Sequence, residues 1–156
     1  MTAYHVVLAA QWGGEHSPNH ELLERWEQNQ FTLLYSTDIL HEYIAKLIEK
    51  QAPRSAMVQL ITALLKLGIA VEIQPFHFPK YPHDPDDISF LLCAGNGAAT
   101  HLISYDQDLI TLNLTYSFSI CQPLEFLKEL RQVCSLNSVL CCKNSPGKHP
   151  TLQRRF

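Results

Sequence analysis

Five aspartates of this chain stand in two short clusters that could hold a metal ion. Asp84, Asp86 and Asp87 lie within four positions in the stretch HDPDDISF, and Asp106 and Asp108 follow the segment HLISY. Two like charges about 4 Å apart repel by about 4 kcal/mol at an effective dielectric of about 20, so a cleft that gathers several acids needs a cation. Mg²⁺ or Mn²⁺, which binds carboxylate oxygens, is the simplest cation that would neutralise these acids. Such an ion can activate water and stabilise the charge that develops on a phosphodiester during hydrolysis.

The elements that must position these acids can be predicted from the pattern of apolar residues. Short β-rich segments alternate with helical patterns, which is typical of an α/β fold with a parallel sheet. The predicted strands are HVVLAA (5–10), FTLLY (31–35), IAVEI (69–73), HLISY (101–105) and SFSIC (117–121). The predicted helices are HELLERWEQ, STDILHEYIAKLIEK, APRSAMVQLITALLKLG, DDISFLLCAGNG and PLEFLKELRQV. The proline-rich segment QPFHFPKYPHDP is predicted to be a surface loop, because such a sequence cannot be a central strand.

Ligands of an open parallel sheet bind beyond the carboxyl ends of its strands, and several acids are predicted to lie there. Asp106 and Asp108 directly follow the fourth predicted strand, and Asp87 opens the helix that leads into that strand. Glu42 lies in the second turn of the helix that follows the second strand. The pattern therefore predicts that acids distant along the chain meet at one edge of the sheet.

Each acid also has a simpler interpretation. Asp86 and Asp87 precede a helical pattern, where carboxylates cap the helix and align favourably with its dipole. The segment YDQDL, which contains Asp106, is a typical turn. Glu42 falls opposite the apolar face formed by residues such as Leu40 and Ile44 in its predicted helix, which favours a solvated position.

Composition and charge indicate one globular domain with a basic tail. The chain has 156 residues, of which 46% are hydrophobic and 17% charged, enough for one core. Residues 131–156 hold five Lys or Arg and no acid, whereas residues 1–130 hold seven basic and fifteen acidic residues. An acidic body disfavours general nucleic-acid binding, which depends on Lys and Arg. We expect a domain over 1–133 and a loosely ordered basic tail over 134–156.

The apolar segments and the cysteines predict the cellular location of the protein and the redox state of its thiols. No apolar run approaches the about 20 residues of a membrane span, and no basic stretch precedes a cleavable signal, so we expect a cytoplasmic protein without membrane contact. The five cysteines form an odd set at irregular spacing. Such a set argues against a disulfide framework, so we expect reduced thiols.

Three segments of the chain resemble the PIN domain family, specifically the branch identified as toxins of toxin–antitoxin systems. They are, in chain order, SPNHELLERWEQNQFTLLYSTDILHEY, DPDDISFLLCAGNGAATHLISYDQDL and ICQPLEFLKEL. The middle segment is the most specific, because the family has D-P-D-D and a Phe-Leu helix, then a strand and a T-x-D-x-D-L turn. Ser104 stands where the family usually has threonine. The resemblance spans roughly residues 6–130.

The resemblance implies a fold, an activity and a set of site residues. The fold would be a three-layer α/β/α sandwich with a central, mainly parallel five-stranded sheet. The activity would be that of an Mg²⁺- or Mn²⁺-dependent endoribonuclease that hydrolyses single-stranded RNA. Carried over by position, Glu42, Asp87 and Asp106 would be the catalytic acids and metal ligands, with Asp108 as an auxiliary ligand. An antitoxin protein and a second copy of the chain would be the protein partners.

The first acid of the family has no counterpart in this chain. The family ends its first strand with Asp-Thr-Asn, whereas this chain has Ala-Ala at 9–10 in one alignment and Ala-Tyr at 3–4 in another. In the second alignment, much of the usual first strand is absent. A metal held by too few carboxylates should bind more weakly, so the alternative hypothesis is a catalytically degenerate PIN domain that acts as a binding or interaction module. Asp84 and Asp86 are the candidates to replace the missing ligand.

Overall fold

The computed structural model describes residues 2–3, 14 and 16–132. Its strands are β1 (Thr2–Ala3), β2 (Leu34–Tyr35), β3 (Ile69–Ala70), β4 (His101–Ile103) and β5 (Ser119–Cys121). Its helices are α1 (Pro18–Glu27), α2 (Thr37–Glu49), α3 (Arg54–Leu67), a 3-10 turn (Pro85–Asp87), α4 (Ile88–Asn96), α5 (Gln107–Ile110) and α6, which is described over 123–132. Helices alternate with strands, so the predicted α/β fold is confirmed.

The strands form two parallel sheets. Ile103 of β4 pairs with Ala3 of β1 on one side and with Cys121 of β5 on the other. In the second sheet, Leu34 of β2 pairs with Ile69 of β3. β1 also lies beside β2, so the strands succeed one another in space as β3, β2, β1, β4 and β5. No ladder joins the two sheets within the described residues, so the single five-stranded sheet of the prediction is not confirmed.

Four predicted strands coincide with observed ones. β2, β3, β4 and β5 each lie inside a predicted segment and are shorter than predicted. The strand predicted over 5–10 lies outside the described residues, and so does the tail predicted over 134–156. β1, at residues 2–3, was not predicted, because two residues give no hydrophobic pattern from which a strand can be inferred.

The helix α2 begins at a side-chain cap. The buried Ser36 accepts a hydrogen bond at Oγ from the N–H of Ile39 at 3.3 Å and so caps the helix. Ile39, Tyr43 and Leu47 then recur at every fourth position and are buried against the core. The cap and the apolar face together fix where α2 starts and how it is rotated.

The packing of α4 on β4 fixes the edge at which the site lies. Phe90 and Leu91 of α4, and Leu102 and Ile103 of β4, have no exposed surface. Burial of each such side chain stabilises the fold by about 1.5–3 kcal/mol. A connection of only four residues, 97–100, separates this helix from its strand, so the two run in opposite directions. The start of α4 and the end of β4 therefore lie at the same edge of the sheet.

The predicted proline-rich loop is irregular in the structure and runs along α4. The backbone N–H of Gln74 donates to Oδ1 of Asn96 at 3.2 Å, and the Asn96 amide donates back to the Gln74 carbonyl at 3.1 Å. Phe78 in this loop is buried. The loop is therefore held at one end by hydrogen bonds and in its middle by a core side chain.

The remaining fold predictions concern cysteines and membrane segments. Cys93 and Cys121 are free and buried, which agrees with the prediction of reduced thiols, and burial raises the pKa of both to about 12. The other three cysteines, Cys134, Cys141 and Cys142, lie outside the described residues. None of the helices in the described part combines the length and the apolarity that a membrane crossing requires.

Candidate functional site

Asp87 is the central residue of an acidic cluster at the edge where α4 begins. It ends the 3-10 turn Pro85–Asp87, and only 1% of its surface is exposed. Its Oδ2 atom is buried and has no hydrogen-bond partner among the residues that the structure describes. An unsatisfied buried polar group costs about 1–3 kcal/mol, and more when it is charged. Packing alone therefore does not favour a carboxylate at this position.

Four other acids lie close enough to perturb Asp87. Its pKa is raised to about 7, first by burial and then, in decreasing order, by the negative charges of Asp106, Asp84, Glu42 and Asp108. No Lys or Arg from the described part of the chain offsets these charges at Asp87. The structure thus brings side chains from α2, from the 3-10 turn and from the start of α5 into one electrostatic cluster.

Asp106 serves both as a helix cap and as a member of this cluster. It is half-buried, and its Oδ1 accepts a hydrogen bond from the N–H of Asp108 at 2.8 Å at the start of α5. Its own N–H donates to Oγ of Ser104 at 2.9 Å, and Ser104 has no exposed surface. The turn interpretation and the site interpretation of Asp106 are therefore compatible, because capping uses one carboxylate oxygen and leaves the other for a second partner.

Glu42 is half-buried, whereas the helical pattern favoured a solvated position. The pattern places Leu40, Ile44 and Leu47 on one apolar face, but Leu40 and Ile44 are only half-buried and Leu47 alone is fully buried. The fully buried positions of α2 are Ile39, Tyr43 and Leu47. The true face is rotated toward Glu42, which places this acid at the border of the core, where its charge raises the pKa of Asp87.

Two acids were considered as replacements for the missing family ligand, and they differ in the structure. Asp84 precedes the 3-10 turn, and its Oδ1 accepts a hydrogen bond from the N–H of Asp86 at 3.0 Å. The charge of Asp84 raises the pKa of Asp87, and that of Asp86 is not among the causes. Both side chains are exposed. Asp84 is therefore the better placed of the two.

The donor atoms suit a hard divalent cation, but fewer ligands are in place than the family uses. Carboxylate oxygens are the donors that Mg²⁺ and Mn²⁺ prefer, and one of those in the cluster is buried without a partner from the described part of the chain. Within the described residues, however, no group of three His, Cys, Asp or Glu side chains is arranged to hold a metal. In neither alignment does the chain supply the family's first acid, because no acid precedes Glu15.

Two further residues, Tyr105 and Asn19, support the loop that carries Asp106, and no motif in the sequence marks them. The hydroxyl of Tyr105 donates to Oδ1 of Asn19 at 2.9 Å, across 86 positions of the chain. Asn19 lies in the first turn of α1 and is buried. The bond ties α1 to the end of β4. A contact between positions so distant leaves no local pattern in the sequence.

The comparisons with known proteins identify one family. A family model described as PIN domain matches residues 5–108, which is more than half of the 156 residues. The matched range contains Glu42, Asp87, Asp106 and Asp108. Among curated proteins and solved structures, none gives a significant match to the chain.

Proposed function

Because this chain belongs to the PIN domain family, we propose that it is a metal-dependent endoribonuclease that hydrolyses single-stranded RNA. The observation that carries the proposal is the environment of Asp87. Its carboxylate is buried, one of its oxygens has no partner among the described residues, and burial and four other acids raise its pKa. The like charges around Asp87 repel one another, and no Lys or Arg of the described residues offsets them there. The cluster by itself therefore destabilises the fold. A bound divalent cation would offset this destabilisation.

The proposal gives each acid a role. Asp87, Asp106 and Glu42 hold Mg²⁺ or Mn²⁺, Asp108 is an auxiliary ligand, and Asp84 stands in for the missing first acid. When bound, such an ion supplies an activated water and a Lewis acid for the phosphodiester. Catalysis by such a site needs its ligands held in position.

Two contacts hold the loop that carries Asp106. Ser104 fixes the backbone of Asp106 by accepting its N–H. The hydrogen bond from Tyr105 to Asn19 anchors the same loop to α1. Ser104 and Tyr105 are therefore positioning residues, since they act on the acids and not on the substrate.

Asp87→Asn is the variant that tests the proposal. The purified full chain should cleave a labelled single-stranded RNA with Mg²⁺ or Mn²⁺ and not with EDTA, and the variant should lose this activity at least about 100-fold, as expected when an essential electrostatic group is removed. The matched control is Asp86→Asn, which removes the same charge one position away at an exposed site that does not perturb Asp87. Cleavage that persists in EDTA, or in the Asp87 variant, would contradict the assignment.

A second candidate function has its own support. The described residues contain no ready group of three metal ligands, which favours a catalytically degenerate PIN domain that binds a partner without hydrolysis. Titration with Mn²⁺, followed by calorimetry, separates the two candidates. The ribonuclease should bind Mn²⁺ and lose that binding in Asp87→Asn, whereas the degenerate domain should bind none.

The biological setting is also part of the proposal. The family branch that the chain resembles implies that it is the toxin of a toxin–antitoxin pair. Its partners would then be an antitoxin protein and a second copy of the chain, and its location would be the cytoplasm. Co-expression with the product of an adjacent gene, followed by co-purification, tests the toxin role.

A further inference from the structure

A set of aromatic rings lies immediately before the acidic cluster in the chain. We call residues 76–83, FHFPKYPH, the aromatic strip. Phe78 is its buried centre, with 7% of its surface exposed. The ring of Phe78 makes edge-to-face contacts with Phe76, Tyr81 and Tyr116, at centroid distances of 4.9, 5.4 and 5.9 Å. One core ring thus supports the other rings.

Two rings of the strip remain exposed although each also contacts the protein. Phe76 is 43% exposed and Tyr81 is 51% exposed. The Phe76 ring lies against α4, where a Cβ atom added to Gly95 would come within 2.6 Å of it. The Tyr81 hydroxyl lies 3.4 Å from Nδ1 of His77. Each ring therefore packs on the protein on one side and meets solvent on another.

The backbone of the strip is also held in place. The hydroxyl of Tyr116 donates to the carbonyl of Lys80, and the bonds between Gln74 and Asn96 fix the preceding residues. These contacts hold the backbone while the rings are already exposed. The strip therefore need not rearrange when it binds a ligand. Pre-organisation of this kind lowers the entropy cost of binding a ligand.

The charges of the strip differ from those of the acidic cluster. His77, Lys80 and His83 are exposed, and the strip contains no Asp or Glu. Within the described part of the chain, none of these three side chains forms an ion pair. The first acid after the strip is Asp84. The aromatic and basic residues of the strip therefore end at His83, and the acidic residues begin at the next position, Asp84.

We propose that the aromatic strip is a binding platform for single-stranded RNA, on which bases stack on Tyr81 and Phe76 while Lys80 contacts phosphate. The inference rests on the proposed ribonuclease function. Stacking on aromatic side chains is how unpaired bases are commonly bound, and Lys contacts to phosphate add affinity without sequence preference. Tyr81 precedes Asp84 by three residues, so their Cα atoms are at most about 11 Å apart.

The platform also explains how an acidic body could bind RNA at all. Lys and Arg are few in residues 1–130, so phosphate contacts alone give little affinity. Stacking of bases requires no positive charge, because every base has an aromatic face. A strand held on the strip would place its next phosphodiester toward Asp84 and Asp87.

The test measures RNA binding in the absence of divalent metal. The full chain is titrated against a fluorescein-labelled single-stranded RNA in EDTA, and fluorescence anisotropy gives the Kd. Tyr81→Ala should raise the Kd about tenfold, the effect expected for loss of one stacked base. Tyr81→Phe should bind as wild type does. The control is Leu124→Ala, which truncates an apolar side chain of similar exposure, 47%, on another surface.

Tyr81→Leu separates stacking from packing, because it keeps an apolar side chain against Phe78 but has no aromatic face. It should lose affinity as Tyr81→Ala does, with an unchanged unfolding midpoint. Wild-type affinity in Tyr81→Leu, or equal loss in the Leu124 control, would overturn the proposal, as would a wild-type chain that binds no RNA in EDTA. Binding without cleavage in Mn²⁺ would refute the ribonuclease and keep the platform.

Discussion

Asp87→Asn should stabilise the folded protein at neutral pH when no divalent metal is present, although it is expected to abolish cleavage. The pKa of Asp87 is raised from 3.8 to about 7 by folding, so the folded state favours the protonated carboxyl. Below pH 3.8 the carboxyl is protonated in both states and does not affect the balance. As the pH rises from there to about 7, the unfolded chain releases its proton first and the folded state loses stability; above that range the loss is constant.

The expected size of this effect follows from the two pKa values. Their difference, about 3, corresponds to about 4 kcal/mol of unfolding free energy. The amide of the variant does not titrate, so its advantage over wild type should grow from less than about 1 kcal/mol near pH 4 to about 4 kcal/mol near pH 8. A typical domain is stable by only about 5–15 kcal/mol, so the difference is readily measured.

Urea unfolding followed by circular dichroism, in EDTA and at several pH values between those limits, is the assay. Asp86→Asn, at an exposed position outside the set of charges that perturb Asp87, should follow the wild-type stability curve. Saturating Mn²⁺ should stabilise wild type and not the Asp87 variant, since a ligand stabilises only the state that binds it. The reasoning is refuted if Asp87→Asn is no more stable than wild type near pH 8, or if the difference does not change with pH.

Two other substitutions test the supports of the site and of the aromatic strip. Ser104→Ala leaves the N–H of Asp106 without its acceptor, so we expect a loss of about 1–3 kcal/mol in urea unfolding and reduced cleavage, both restored by Ser104→Thr. Gly95→Ala places a Cβ 2.6 Å from the end of the Phe76 ring. That ring is half exposed, and alanine favours a helix by up to about 1 kcal/mol relative to glycine. The stability of the fold should therefore change little, while the affinity for RNA should fall. A large destabilisation would show that the ring cannot move.

Much of the fold was predictable because residues typical of turns and helix ends separate the apolar segments. The segments FTLLY, HLISY and SFSIC each contain an observed strand, and Ser36 begins α2 as its side-chain chemistry predicts. Strand lengths were overestimated, because apolar residues extend beyond the positions that pair. Of the five predicted strands, the one over 5–10 lies outside the described residues.

The site was less predictable than the fold, for two physical reasons. The rotation of α2 depends on which residues its neighbours bury: the helical pattern includes Leu40 and Ile44 in the apolar face, whereas the structure buries Ile39 together with Tyr43 and Leu47. Glu42 was therefore expected to face solvent. The contact between Tyr105 and Asn19 depends on the tertiary fold alone. The acids that perturb Asp87 could thus be named from the sequence, whereas the contacts that support Asp106 could not.

The two capping aspartates, Asp84 and Asp106, contribute to the fold in a way that Asp87 does not. Asp84 and Asp106 each use one carboxylate oxygen to start a helical turn, so a lineage that abandons hydrolysis still gains from retaining them. The side chain of Asp87 makes no such cap bond, and its Oδ2 is buried without a donor from the described residues. Among relatives of this chain, the identity of the residue at position 87 should therefore distinguish working nucleases from inactive descendants better than the residue at either cap.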